Sequence, residues 1–189
     1  RQKMKYLFLL IAISFAILSC KKGPGNFTLK GQVDDLTFDS PLSDIWIKLY
    51  KVPVGTTTLI IQDSVLITED GQYQFSFPRE QMEKYIIKVN KPGYFEINEE
   101  IYFSTLTLES DNIRNLETKA KAWVGINLFN ENPEATDKFS YIKQDGLQGC
   151  PTCCPIEEQV FYGELDTTIS GIHNANETYS VLSNTFDSS

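Results

Sequence analysis

From Phe27 onward the chain alternates apolar and polar side chains with a period of two, and nothing else constrains its fold as strongly. Successive residues of a strand point to opposite faces, so this period asks for sheets with one buried face. Phe27, Leu29, Gly31 and Val33 alternate with Thr28, Lys30 and Gln32, and Ile45, Ile47 and Leu49 alternate with Trp46, Lys48 and Tyr50. A third run spans Leu59 to Ile67, and Tyr73, Phe75 and Phe77 then alternate with Gln72, Gln74 and Ser76 before Pro78 closes the strand. Tyr85, Ile87 and Val89 repeat the pattern.

Turn residues separate these runs. Glu69-Asp70-Gly71 reads as a hairpin turn, because glycine accepts a positive φ, and Lys91-Pro92-Gly93 turns the chain again. Helical signals are nearly absent. Arg79 to Lys84 is short and polar and reads as a loop crossing between sheets. Short strands at such spacing predict an all-β sandwich or barrel. Hydrophobic residues at 41% and aromatics at 12% suffice for a core, and 189 residues allow one ordinary domain or two small ones.

Particular motifs in this stretch carry a resemblance. Gly31-Gln32-Val33-Asp34-Asp35, then the run from Pro41 to Val52, then Asp70-Gly71-Gln72-Tyr73-Gln74-Phe75, then Gly93-Tyr94 are similar to the carboxypeptidase regulatory-like family. The resemblance implies a transthyretin-like or immunoglobulin-like β-sandwich over residues 27–115, with a structural or binding role and no catalytic position. From 116 to 189 a second, smaller β-rich segment is expected. Ala122, Val124, Ile126 and Leu128 alternate with Trp123, Gly125 and Asn127, and shorter strand-like runs cover Asp137 to Lys143, Val160 to Gly163 and Tyr179 to Leu182. About 70 residues is marginal for an independent core. With no closing strand visible from Asn184 to Ser189, the segment reads either as packed on the first module or as cut short.

The first residues read as an address. Arg1, Lys3 and Lys5 precede a 13-residue apolar run, Tyr6 to Leu18, too short for the span of about 20 that a membrane helix needs. Ile17-Leu18-Ser19-Cys20 resembles a bacterial lipobox, with Ile17 where leucine is usual. The resemblance implies cleavage of a signal peptide over residues 1–19 and lipidation of Cys20, followed by a tether over residues 20–26; Arg1-Gln2-Lys3 lacks an initiator, so Met4 is the expected native start. The expected location is therefore the bacterial cell envelope, as an outer-membrane lipoprotein on its periplasmic or surface face. Asp63-Ser64-Val65 and Asp166-Thr167-Thr168 resemble an O-glycosylation motif of Bacteroidetes-type bacteria. Each acyl CH₂ buried in a bilayer contributes about 0.8 kcal/mol, so several chains on one cysteine would anchor durably.

Charge excludes a partner class. Lys and Arg number 17 against 25 Asp and Glu, a net −8. Loss of residues 1–19 removes three bases and no acid, leaving 14 against 25, or −11. Nucleic-acid binding needs clustered cations, and none are present. Such a charge also disfavours anionic headgroups, so the membrane is met through the lipid alone.

Residues with chemical capacity are few. Cys150, Cys153 and Cys154 suit a loop disulfide, which an exported protein would form, or a soft-metal site with His173 as a further ligand, or a redox pair. His173, the single histidine, reads as a surface loop residue, since Gly171 and Asn174 suit a turn. Asp34, Asp35, Asp39 and Asp44 share one loop and suit either solvent or calcium. Trp46, Tyr50 and Trp123 fall on outward strand faces, where rings either stack on sugars and partners or cover the join between the two modules. The expected protein is a non-catalytic envelope module without a cofactor. The alternatives are a carbohydrate-binding lipoprotein of a glycan-uptake system and a metal- or thiol-dependent enzyme using the three clustered cysteines.

Overall fold

The computed structural model of the protein describes residues 25–146 and 157–186, so Cys20, Cys150, Cys153 and Cys154 lie outside the described residues. The chain is nearly all β, as the period of two predicts. Seven strands come first: β1 (Asn26–Asp35), β2 (Ser40–Pro41), β3 (Ile45–Val52), β4 (Ile60–Ile67), β5 (Gln72–Pro78), β6 (Lys84–Val89) and β7 (Ile97–Tyr102). A 3₁₀ turn at Phe103–Thr105 leads to β8 (Asn112–Ile113) and β9 (Leu116–Thr118). The remainder is β10 (Lys121–Phe129), β11 (Lys138–Asp145), β12 (Gln159–Tyr162), β13 (Asp166–Asn174) and β14 (Ser180–Phe186).

The first nine strands make two sheets. In one, β1 pairs antiparallel with β5 from Asn26↔Pro78 to Gln32↔Gln72, antiparallel with β2, and parallel with β8 and β9. The other is antiparallel in the order β4-β3-β6-β7. Phe27, Leu29, Val33, Phe75 and Phe77 face Ile45, Ile47, Leu49, Tyr85 and Ile87 in one buried cluster. Each such side chain contributes about 1.5–3 kcal/mol by leaving water. Phe77 of β5 meets Tyr85 of β6 across the sandwich at 4.7 Å between ring centroids. Residues 79–83 cross between the sheets, as their polar composition predicts.

The Gly-x-Val-x-Asp run has a local cause at each position. A Cβ on Gly31 would lie 1.8 Å from the carbonyl oxygen of Arg114, which passes against β1 between β8 and β9. Val33 is in the core. Asp35 is buried and accepts hydrogen bonds from Tyr94 Oη–H at 2.8 Å and from the Thr37 N–H at 2.8 Å. The run that opens the sandwich is thereby tied to Gly93-Tyr94 near its end.

The structure corrects four readings. Asp70-Gly71 is a corner between sheets and not a hairpin turn, because β4 pairs with β3 while β5 pairs with β1. The positive φ of Gly71, 69°, serves a corner as well as a hairpin. Leu116–Thr118, expected to begin the second segment, pairs with β1 in the first sheet. His173 sits inside β13 and is buried, 3% exposed, instead of lying in a surface loop. Residues after Asn184 do supply a closing strand, since β14 pairs along β11 as far as Phe186.

In the second segment β10 pairs antiparallel with β13, and β11 lies between β12 and β14. Ala122, Val124 and Ile126 share one face of their ribbon with His173, Gly171 and Ile169. Phe139, Tyr141 and Phe161 cluster on β11 and β12, with centroids 6.2–6.4 Å apart. The two parts join at Lys119-Ala120-Lys121. Phe95 N–H donates to Lys119 O at 3.1 Å, Ala120 N–H to Thr37 Oγ1 at 2.8 Å, and Ala175 N–H to Ala120 O at 2.8 Å.

Candidate binding face

Strand β3 lies inside its sheet, with β4 on one side and β6 on the other. Because Ile45, Ile47 and Leu49 are buried, Trp46, Lys48 and Tyr50 must point away from the core. Trp46 is 54% exposed, an unusual amount for the largest side chain in the middle of a sheet. Tyr50 is half-buried, with Lys88 Nζ 5.9 Å from its ring centroid. Trp46, Lys48, Tyr50, Ser64, Lys88 and Asn90 line an open groove of about 630 Å³, which Glu96 also borders.

Register decides the polar chemistry of this groove. Lys48 of β3 is directly opposite Ser64 of β4 on one side and Lys88 of β6 on the other. Lys88 in turn faces Asn98 of β7. The row across the sheet is thus serine, lysine, lysine, asparagine. Elsewhere on the same sheet lysines have acidic partners: Lys51 pairs with Glu80 at 2.7 Å and Lys84 with Glu100 at 2.6 Å. Among the described residues neither Lys48 nor Lys88 makes an ion pair.

Trp46 and Tyr50 come together in the groove, whereas Trp123 is on the outer side of β10, level with Ile172 of β13. Trp123 is 66% exposed. Among the described residues both tryptophans are largely open to solvent and not buried in a join between modules. A second hollow, about 450 Å³, lies in the second segment and is lined by Leu128, Asn130, Asp137, Phe139, Phe161 and Phe186. Phe186 is itself largely exposed, so this hollow is open to solvent.

His173 packs on Tyr179 with ring centroids 4.4 Å apart. Burial, and secondarily the charge of Lys143, holds its imidazole below the ordinary pKa of 6.5. Gly146, where the connection carrying the three clustered cysteines leaves β11, lies close enough that a Cβ on it would be 3.1 Å from His173 Nδ1. Among the described residues no three His, Cys, Asp or Glu side chains gather as a metal site. The aspartates of the β1–β3 region disperse. Asp35 is turned inward onto Tyr94, Asp34 accepts from Gln32 Nε2 at 2.9 Å, and Asp39 and Asp44 take positive φ of 51° and 54° in turns.

Of the residues that shape the groove, Trp46 and Tyr50 are legible from the period of two. Lys48, Lys88 and Asn90 are not singled out by sequence, and Ser64 only within the triplet Asp63-Ser64-Val65, because what unites them in the groove is the pairing of β3 with β4 and β6. No local pattern states that pairing.

No family model matches the chain, and no curated protein is similar to it in sequence. Among solved structures it is similar to a DUF3823 family protein from Parabacteroides merdae ATCC 43184, with TM-score 0.35 and 11% identity over 79% of this chain and 82% of that one. It is also similar to the shaft pilin SpaA from Lactobacillus rhamnosus GG, with TM-score 0.39 and 9% identity over 86% of this chain and 87% of that one. Neither likeness bears on what this chain does.

Proposed function

We propose that this chain is a non-catalytic, lipid-anchored protein of a bacterial cell envelope whose first β-sandwich is a structural module with a saccharide-binding face. The sandwich is read as a carboxypeptidase regulatory-like unit on the motifs at Gly31, Asp70-Gly71 and Gly93-Tyr94. Cys20 is the lipid attachment point, on the outer membrane. The observation that carries the binding role is the exposed Trp46 on an interior strand, on the same outward face as Tyr50 and over the same groove. An aromatic face accepts the C–H face of a sugar ring, and a rigid sheet presents it at little entropic cost. Four residues of strand separate the two rings by about 13 Å, a distance that a short oligosaccharide bridges. Ser64 and Asn90 stand ready for its hydroxyls.

The test is titration of the full chain, carrying Cys20→Ser to keep it in solution, against a panel of soluble oligosaccharides. Trp46→Ala is expected to weaken binding at least tenfold, and Trp123→Ala to leave it within twofold. Binding that ignores the loss of Trp46 refutes this assignment of the face.

A further inference from the structure

The saccharide reading leaves the two lysines between the rings unexplained. Like charges directly opposite on neighbouring strands destabilise a sheet. Lysine is often placed on edge strands to block unwanted pairing, but β3 and β6 are both interior, so that reason fails here. Nor is acid scarce, since the chain has 25 Asp and Glu against 17 Lys and Arg. Carboxylates are supplied to Lys51 and Lys84 on the same two strands, yet the row through Lys48 and Lys88 ends in Ser64 and Asn98. Two ammonium groups are left facing one open groove, with hydroxyl and amide groups beside them and a ring at each end. Glu96 also lines the groove, and among the described residues no ion pair joins it to either lysine.

Resting on the saccharide reading of this face, we infer that its ligand is an anionic saccharide whose carboxylate or sulfate is held between Lys48 and Lys88 while its rings lie on Trp46 and Tyr50. Lys88 is already drawn to the Tyr50 face, which positions its ammonium beside the ring without neutralising it. An anion bridging both lysines removes the repulsion that the free sheet carries. On a strongly acidic protein, such a local positive row admits an acidic glycan that the rest of the surface repels.

The experiment titrates the full-length Cys20→Ser protein with tetragalacturonate and its methyl ester, and with neocarratetraose sulfate and its desulfated form. Each pair shares its rings and differs in charge. At least tenfold tighter binding of tetragalacturonate than of its ester assigns a carboxylate, and the same preference within the second pair assigns a sulfate. In either case Lys48→Gln and Lys88→Gln each remove most of the preference. Equal binding of charged and neutral members overturns the anion site and leaves the saccharide face standing. Binding of none of the four overturns both.

Discussion

His173 shows how a single side chain can carry a pH dependence into the fold. It is buried in β13 against Tyr179, with Lys143 adding positive charge nearby, and both effects favour the neutral imidazole. In the unfolded chain the same ring takes up a proton near its ordinary value of 6.5. A group with its folded pKa depressed gives stability that is whole above the unfolded value and is lost as pH falls through the window down to the folded one. The urea midpoint of the protein is therefore expected to be steady above about pH 6.5 and to fall as the pH drops below that value, where the unfolded chain takes up the proton first. His173→Phe, which keeps a ring on Tyr179, is expected to flatten that part of the profile. An unchanged slope in the variant would assign the pH dependence to another group. Glu177, held below its ordinary value by hydrogen bonds from Lys119 and Asn174, loses its contribution at lower pH and so is separable.

At the scale of the element, the strands differ in how openly the sequence declares them. β1, β3 and β5 pair a buried apolar side with a polar one, and the alternation predicts them directly, while in β6 Ile86 interrupts the polar side without hiding the strand. β13 hides, since its inward positions include Gly171 and His173, so its period of two is not written in hydrophobicity. The end of β14 hides for a similar reason, with Ser183, Asn184 and Thr185 in it. The short parallel pairings of β8 and β9 with β1 join residues more than 80 positions apart, and a local pattern cannot announce them. The binding face divides along the same line, the aromatic half being a property of one strand and the cationic half a property of two strands in register. That half yields a stability prediction. Opposed lysines cost the sheet, so Lys48→Gln is expected to raise the melting temperature slightly, by the equivalent of about 0.2–1 kcal/mol. Calorimetry at low salt, where screening is least, is the measurement. A lower melting temperature would show that the lysine stabilises the sheet and that no repulsion is stored there.

For the whole molecule the leading question is attachment. The lipobox-like run at Cys20 gives the expectation that the native chain sediments with membranes and that Cys20→Ser releases it into the soluble fraction. Metabolic labelling with a palmitate analogue, abolished by the same substitution, separates lipidation from adventitious membrane association. Unlabelled native protein would refute the anchor while leaving the binding face untouched. The joining residues Lys119-Ala120-Lys121 bond to both parts of the chain, so the β10–β13 ribbon is held to the sandwich by backbone hydrogen bonds as well as by covalent continuity.

The placement of β1 has a mechanical consequence. It is the first strand after the expected anchor, and it is gripped along both edges, by β5 on one side and by β8 and β9 on the other. If Cys20 carries the lipid, a load between ligand and membrane enters the sandwich at Asn26, and its component along that strand acts in shear. Under such a pull the hydrogen bonds on both edges share the force together, instead of yielding one after another as they would if the strand were peeled from an end. Shear of this kind is the direction in which a sheet resists most.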